Sequence, residues 1–280
     1  LAKDLFDYLI DLELLNLNDN KLKNLNSDLY RKLKRLNSLD LSQNRLDAIN
    51  ASLFEESDST LNELFLQSNA IRYIAPASFD KLKNLTVLYL SSNYLEYFNV
   101  SLLSELKNLN ELRLSNNSLE VFGSNSSPKI DLRNLQLLDL TLNRIVKIYD
   151  DAFSRMSKLK LLSLRLNFLS RLPPKVFDGV RNLEQLDLSV NRLSNLSPTL
   201  FFNLNRLRVL NLDANQLTEI LPHFFERTTS LKQLAMNFNS FKLIDLNTIN
   251  SLCLDELFFT DNPDFMVKID DKSSCIVLTW

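Results

Sequence analysis

The apolar residues of this chain follow neither a helical period nor a simple strand alternation. They follow an eleven-residue template, LxxLxLxxNxL, that recurs ten times and once more in degenerate form. Seven of the first nine steps between copies are 24 residues long, one is 25 and one is 26. We call each copy, with the residues up to the next copy, a coil, and we number its positions as slots from the first leucine. The coils begin at Leu12, Leu36, Leu61, Leu85, Leu109, Leu135, Leu159, Leu183, Leu207, Leu231 and Leu254.

Each coil is predicted to contain one short strand. Slots 4 and 6 are apolar and flank slot 5, so the strand buries slots 4 and 6 and turns slot 5 outward. Slots 11 and 14 are also apolar and are predicted to return to the same core. The residues at slot 14 are Leu25, Ile49, Ile74, Phe98, Phe122, Ile148, Leu172, Leu196, Ile220 and Ile244. A large residue at slot 19 is predicted to close the core from the far side, as at Phe54, Phe79, Phe153, Phe177, Phe201 and Phe225.

A single coil cannot bury its own apolar edge, so the coils are predicted to stack. Stacking pairs the strands into one curved parallel sheet and gives an α/β solenoid with an irregular or short helical convex side. We expect one array over 1–280: 1–11 as the end of a truncated coil, 12–253 as ten coils, and 254–280 as a degenerate eleventh coil and the start of another. Phe6 and Leu9 fit slots 19 and 22 of an earlier coil, which suggests a fragment of a longer array.

Slot 9 is asparagine in every coil. An amide donates and accepts, so it can satisfy backbone groups where the strand bends and sheet partners end. We therefore predict a structural role for this row, which comprises Asn20, Asn44, Asn69, Asn93, Asn117, Asn143, Asn167, Asn191, Asn215, Asn239 and Asn262.

Composition narrows the function classes. The formal net charge of −2 argues against nucleic acid as the main partner. No apolar run is long enough to span a bilayer. The chain has only one histidine, His223, two cysteines and two glycines. These low numbers argue against a histidine or cysteine metal site, histidine-assisted catalysis and a phosphate-binding loop. We expect no enzyme and no cofactor.

The 24-residue coil with its phenylalanine row resembles the "typical" class of animal extracellular leucine-rich repeat proteins. That class includes Toll-like receptor ectodomains, chaoptin-like adhesion proteins and small secreted proteoglycan cores. The unit LKLLSLRLNFLSRLPPKVFDGVRN, from Leu159 to Asn182, matches closely. The resemblance implies a horseshoe with its sheet on the concave face, and recognition of partners on the concave or lateral faces.

Two features bear on the compartment. Stacking places Cys253 and Cys275 on adjacent turns, within reach of a disulfide, which would indicate an oxidising compartment. The alternative is a pair of buried thiols that behave as small apolar residues. Six N-x-S/T sequons are candidate glycosylation sites: Asn50, Asn84, Asn99, Asn116, Asn125 and Asn195.

We therefore expect an extracellular protein-recognition module, part of an innate-immune or adhesion receptor. Its partner would be a protein ligand or co-receptor, or a second copy. The alternative is a cytosolic scaffold or inhibitor that docks one enzyme, with reduced cysteines and unused sequons.

The outward slot 5 provides one candidate contact surface. Phe65, Tyr89 and Arg113 occupy it on three consecutive strands about 5 Å apart; we call them the aromatic cluster. Large aromatics and arginine are the residue types that anchor interfaces. The alternative is that cross-strand stacking only stabilises the sheet.

Slot 8, which lies just past the strand, provides a second candidate contact surface. It is polar in coils 1–5 and apolar in the next five coils, at Leu142, Leu166, Val190, Ala214 and Phe238. We call these five residues the apolar row. Leu137, Leu161 and Val209 are predicted to widen it, and Arg165 to border it. Exposed contiguous apolar surface indicates an interface; the alternative is that these side chains pack on one another or under a loop or glycan.

Overall fold

The structure is a computed structural model that describes residues 4–26, 29, 31–55, 60–123, 131–221, 224–245, 249, 252–262 and 266–268. Its main feature is one parallel sheet of eleven strands, one from each coil, in chain order. Each strand covers slots 3–5. The strands are Leu14–Asn16, Ser38–Asp40, Glu63–Phe65, Val87–Tyr89, Glu111–Arg113, Leu137–Asp139, Leu161–Ser163, Gln185–Asp187, Val209–Asn211, Gln233–Ala235 and Glu256–Phe258. The predicted solenoid is confirmed.

Register keeps every slot beside its equivalent in the next coil. Leu162 pairs with Leu138 on one side and with Leu186 on the other. This register stacks the slot 4 leucines directly, and all three are fully buried. A shift of one residue would turn the apolar set outward, so burial of slot 4 fixes the register.

The opposite side of the core is closed by stacked phenylalanines. The ring centroids of Phe153 and Phe177 lie 6.0 Å apart and those of Phe177 and Phe201 lie 6.3 Å apart. These distances are typical of favourable aromatic pairs. The slot 19 prediction therefore holds along this stretch.

Short elements lie beyond the main sheet; the short helices belong to the predicted convex side, whereas the small strand pairs were not predicted from the sequence. Three parallel pairs form near slot 14: Ala48–Ile49 with Tyr73–Ile74, Val121–Phe122 with Lys147–Ile148, and Leu243–Asp245 with Met266–Lys268. Within the described residues there are two 3-10 helices, Ala51–Phe54 and Val100–Leu103.

The slot 9 asparagines form the predicted hydrogen-bond ladder. The Nδ2 of Asn191 donates to the carbonyl oxygens of Leu164 at 2.9 Å and Leu188 at 3.0 Å, and its Oδ1 accepts from the Leu169 N–H at 3.0 Å. From Asn44 onward, each amide thus joins its own coil to the preceding one, whereas Asn20 bonds only within its own coil.

Candidate functional site

The aromatic cluster is assembled on the outward face of three adjacent strands. The rings of Phe65 and Tyr89 meet edge to face with centroids 5.2 Å apart. The Arg113 guanidinium carbon lies 4.8 Å from the centre of the Tyr89 ring, within cation–π range. The Tyr89 hydroxyl donates to Glu111 Oε2 at 2.7 Å. Burial, followed by this hydrogen bond to a carboxylate, raises the pKa of Tyr89 above its usual value of 10. The three predicted residues are therefore in contact.

Two polar atoms in this region have no partner. The Nε of Arg113 and the Oε1 of Gln67, two residues after Phe65, are buried without a hydrogen bond. A buried polar group without a partner costs about 1–3 kcal/mol. Tyr89 is therefore paired with the neighbouring Glu111, whereas Arg113 Nε and Gln67 Oε1 leave one donor and one acceptor without a hydrogen bond.

The apolar row lies on the turn that leaves each strand. At every slot 8 the backbone enters the left-handed region, with φ of 56° at Leu142, 55° at Leu166, 54° at Val190, 52° at Ala214 and 53° at Phe238. The turn is set by pairing between coils: the Val190 N–H donates to the carbonyl of Asp213 at 2.8 Å. Glycine, asparagine and aspartate tolerate this region, whereas branched and bulky residues are outliers there.

The burial of these side chains is partial and differs along the row. Leu142 is 46% exposed and Phe238 is 59% exposed. Leu166, Val190 and Ala214 are half-buried. The row is not part of the core, and a non-glycine residue in this region costs about 1–3 kcal/mol. Full burial in the core therefore does not account for leucine, valine or phenylalanine here.

Two exposed apolar residues on the same turns were missed in the sequence. Phe168 follows Leu166 beyond the inward Asn167 and is 39% exposed, and Val146 is 53% exposed. The Arg192 guanidinium carbon lies 4.5 Å from the centre of the Phe168 ring. Reading slots 10 and 12 across the coils would have found them. We call slots 8–13 of all coils the turn face.

The turn face of coils 6–8 is basic as well as apolar. Arginine or lysine occupies slot 10 or 13, and no acidic residue lies in slots 8–13 of these three coils. The four basic side chains are exposed: Arg144, Lys147, Arg171 and Arg192. The apolar row thus has a cationic border in a chain with a formal net charge of −2.

The remaining predicted contacts lie at two different places in the coil. Leu137, Leu161 and Val209 are half-buried at the starts of their strands. Arg165 Nη1 donates to Ser189 Oγ at 2.8 Å, which holds the guanidinium across to the next coil. Arg165 directly precedes Leu166 and fits a border for the row. The widening of the row by the three residues at the strand starts stays a prediction.

Sequons and cysteines fall on several surfaces. Asn50, Asn84, Asn116 and Asn195 are exposed, whereas Asn99 is half-buried and its side chain accepts from the Ser101 N–H. Asn125, Cys275 and residues 276–280 lie outside the described residues. Cys253 is exposed, so it does not occupy the buried position that the alternative to a disulfide requires. The disulfide and the glycans stay predictions.

The described residues contain neither a metal-binding cluster nor a membrane-spanning helix. No group of three or more histidine, cysteine, aspartate or glutamate side chains there could hold a metal ion. No helix in the same ranges is long and apolar enough to cross a membrane.

Comparison with known proteins identifies the repeat. A family model described as leucine rich repeat matches residues 59–122, 133–193 and 181–241. The fold is similar to TLR13 in its complex with single-stranded RNA, at 28% identity and a TM-score of 0.79 over 95% of this chain and 38% of that one. It is similar to Toll in the Toll–Spatzle complex of Drosophila, at 25% identity and a TM-score of 0.78 over 94% of this chain and 38% of that one.

A bacterial protein is similar to the same degree. A leucine-rich repeat protein of Leptospira interrogans aligns at 29% identity and a TM-score of 0.77, over 95% of this chain and 65% of that one. The chain spans less than two thirds of each of these proteins. Comparison with curated protein sequences gave no match. The likeness reaches animal and bacterial proteins alike, so it establishes the repeat and leaves the animal extracellular class as a prediction.

Proposed function

The chain belongs to the leucine-rich repeat family, and we propose that it is an extracellular protein-recognition module, part of a receptor ectodomain of the Toll-like or adhesion type. Its partner binds on the turn face of coils 6–10. Toll in complex with Spatzle is among the similar structures, which supports a recognition role.

The observation that carries the proposal is the strained apolar row. Leu142, Leu166, Val190 and Phe238 hold positive φ without full burial, although the same turn accepts Asp19 and Asn116 in other coils. Strain that folding does not need is characteristic of functional sites. A partner that covers the row would bury the surface that the fold leaves open.

Charge identifies the chemistry of the partner. The cationic border of Arg144, Lys147, Arg171 and Arg192 is complementary to carboxylates, and complementary charge at a rim steers association and fixes register. We infer a protein segment with apolar side chains flanked by aspartate or glutamate. TLR13 is seen with single-stranded RNA, but an apolar row suits side chains better than a phosphate backbone.

Selection from a random linear peptide library on the immobilised chain tests this role. We expect enrichment of leucine, isoleucine and phenylalanine beside acidic residues, and loss of binding to the Leu166→Asn, Val190→Asn double variant. The matched control is Gln43→Asn with Ser68→Asn, which alters the same turn in two coils where slot 8 is polar and exposed. Peptides that bind the double variant as well as the control would place the site elsewhere.

The proposed extracellular location is tested by a separate experiment. Mass analysis of the natural protein should find N-linked glycan on at least one sequon, because an extracellular chain passes the glycosylation machinery. A natural protein that carries none would contradict the extracellular part of the proposal and leave the peptide result standing.

A further inference from the structure

A polar groove lies on the side of the array opposite the turn face, where the chain enters the strands. It has a volume of about 390 Å³ and is lined by Asn62, Asn84, Thr86, Asn108, Asn110, Asn134, Gln136 and Lys158. Seven of these eight side chains are neutral hydrogen-bonding groups. We call this feature the amide groove.

The groove is local and is not a requirement of the repeat. Its residues occupy slot 2 and the position just before slot 1 on adjacent coils. In later coils the same two positions include Lys160, Glu184, Arg206 and Arg208. Charge is therefore accepted at these positions elsewhere. Single amides occur there outside the groove, at Asn37 and Asn182, but the run of amides on consecutive coils lies in the groove.

Some side chains that line the amide groove are held by hydrogen bonds, and one side-chain oxygen has none. The Nδ2 of Asn108 donates to the Lys83 carbonyl at 3.0 Å, and the Nδ2 of Asn134 donates to the Lys107 carbonyl at 2.9 Å. The Oδ1 of Asn110, by contrast, is buried without any hydrogen bond. A buried acceptor without a donor is unfavourable, so a hydroxyl or amide N–H group in the groove would stabilise Asn110 if its side chain turned outward to accept from it.

We propose that the occupant is a saccharide, the N-linked glycan carried by Asn84. Asn84 is exposed, lines the groove and begins the sequon Asn84-Leu85-Thr86. A glycan brings the hydroxyl and acetamide donors that Asn110 Oδ1 lacks. None of the lining residues is aromatic, so a free sugar has no stacking surface. A sugar tethered to Asn84 needs none, because attachment gives it a high effective concentration.

This inference rests on the extracellular part of the proposed function, since glycosylation requires the secretory route. The test uses the whole chain secreted from a eukaryotic host, with Asn50 as the reference sequon because it is exposed and lines no part of the groove. Under native conditions an endoglycosidase should remove the Asn84 glycan about tenfold more slowly than the Asn50 glycan, a factor that corresponds to about 1.4 kcal/mol of docking.

The variant Asn110→Ala gives the sharper readout. With the glycan present, it should remove the protection at Asn84 and leave the Asn50 rate unchanged. Without the glycan, as in protein from a bacterial host, it should leave the thermal midpoint unchanged or raised, because it deletes an unpaired acceptor. A purely structural Asn110 would instead lower the midpoint in both preparations.

The outcomes separate the two proposals. Glycan at Asn50 with none at Asn84, or equal removal rates at both, overturns the groove assignment and leaves the proposed function intact; water then satisfies Asn110. Secreted chain without glycan at any sequon overturns the groove assignment and the extracellular role together, while peptide binding to the turn face is measured independently.

Discussion

Val190 adopts a backbone conformation that a β-branched side chain disfavours. Its φ is 54°, and its position in the left-handed region is dictated by the turn, since the N–H of slot 8 bonds to the next coil throughout the array. The sequence shows that slot 8 becomes apolar in coils 6–10, but a burial pattern carries no information about φ. Only Asp19, Asn116 and Asp261, of types that tolerate positive φ, hint at it.

Tyr89 shows how one residue of the aromatic cluster couples to pH. Burial and the hydrogen bond to Glu111 raise its pKa in the folded state, so the folded chain holds the proton more tightly than the unfolded chain. The contribution of Tyr89 to the unfolding free energy is therefore fully present below about pH 10, the pKa of tyrosine in the unfolded chain. It is lost as the pH rises from 10 through the pKa of the folded state.

Urea unfolding at pH 8 and at pH 10.5 measures this effect. We expect Tyr89→Phe to lose less stability between the two pH values than the wild type. Tyr97→Phe is the control, because it removes the same hydroxyl group from a tyrosine that is 63% exposed. An equal loss in wild type and Tyr89→Phe would show that Tyr89 ionises freely.

At the scale of one coil, the asparagine of slot 9 is the main polar connection. Asn191 bonds three carbonyls and one N–H through a buried amide. Alanine there leaves several buried backbone groups unpaired, each at about 1–3 kcal/mol, so we expect Asn191→Ala to lower the unfolding free energy by about 3 kcal/mol.

Asn20→Ala is the matched control for that prediction. Asn20 is exposed and bonds only to carbonyls of its own coil, so its loss should stay within about 0.5 kcal/mol. A cost for Asn191→Ala below about 1 kcal/mol would mean that water replaces the amide.

Elements defined by burial could be predicted, and those defined by backbone pairing alone could not. The strand Gln185–Asp187 buries Leu186 and repeats in every coil, so the pattern reveals it. The pair Val121–Phe122 with Lys147–Ile148 has two residues per strand, too few to show a period. Its buried Phe122 and Ile148 were predicted for the core, but their pairing was not.

Across the whole molecule, the edge of the sheet where the strands end differs in chemistry from the edge where the strands begin. The turn face carries exposed Leu142, Val146, Phe168 and Phe238, whereas the amide groove lies on the side where the strands begin. The apolar row could be predicted because its five members share one slot. Phe168 and Val146 stand in slots that are mostly polar or charged, and the groove combines two positions, so a search for slots of one uniform character missed all of them.

The central claim is that the turn face retains strained apolar residues for binding and not for folding. The decisive measurement is the stability and the peptide affinity of the Leu166→Asn, Val190→Asn variant, by urea unfolding and by titration calorimetry with a peptide selected on the wild type. Asparagine tolerates positive φ better, so we predict an unfolding free energy unchanged or raised by up to about 2 kcal/mol. Affinity should fall at least tenfold, about 1.4 kcal/mol. Gln43→Asn with Ser68→Asn places asparagine at the same positive φ and should keep its affinity and its stability, or gain stability for the same reason. A variant that loses stability and keeps its affinity would contradict the account, since the row would then serve the fold.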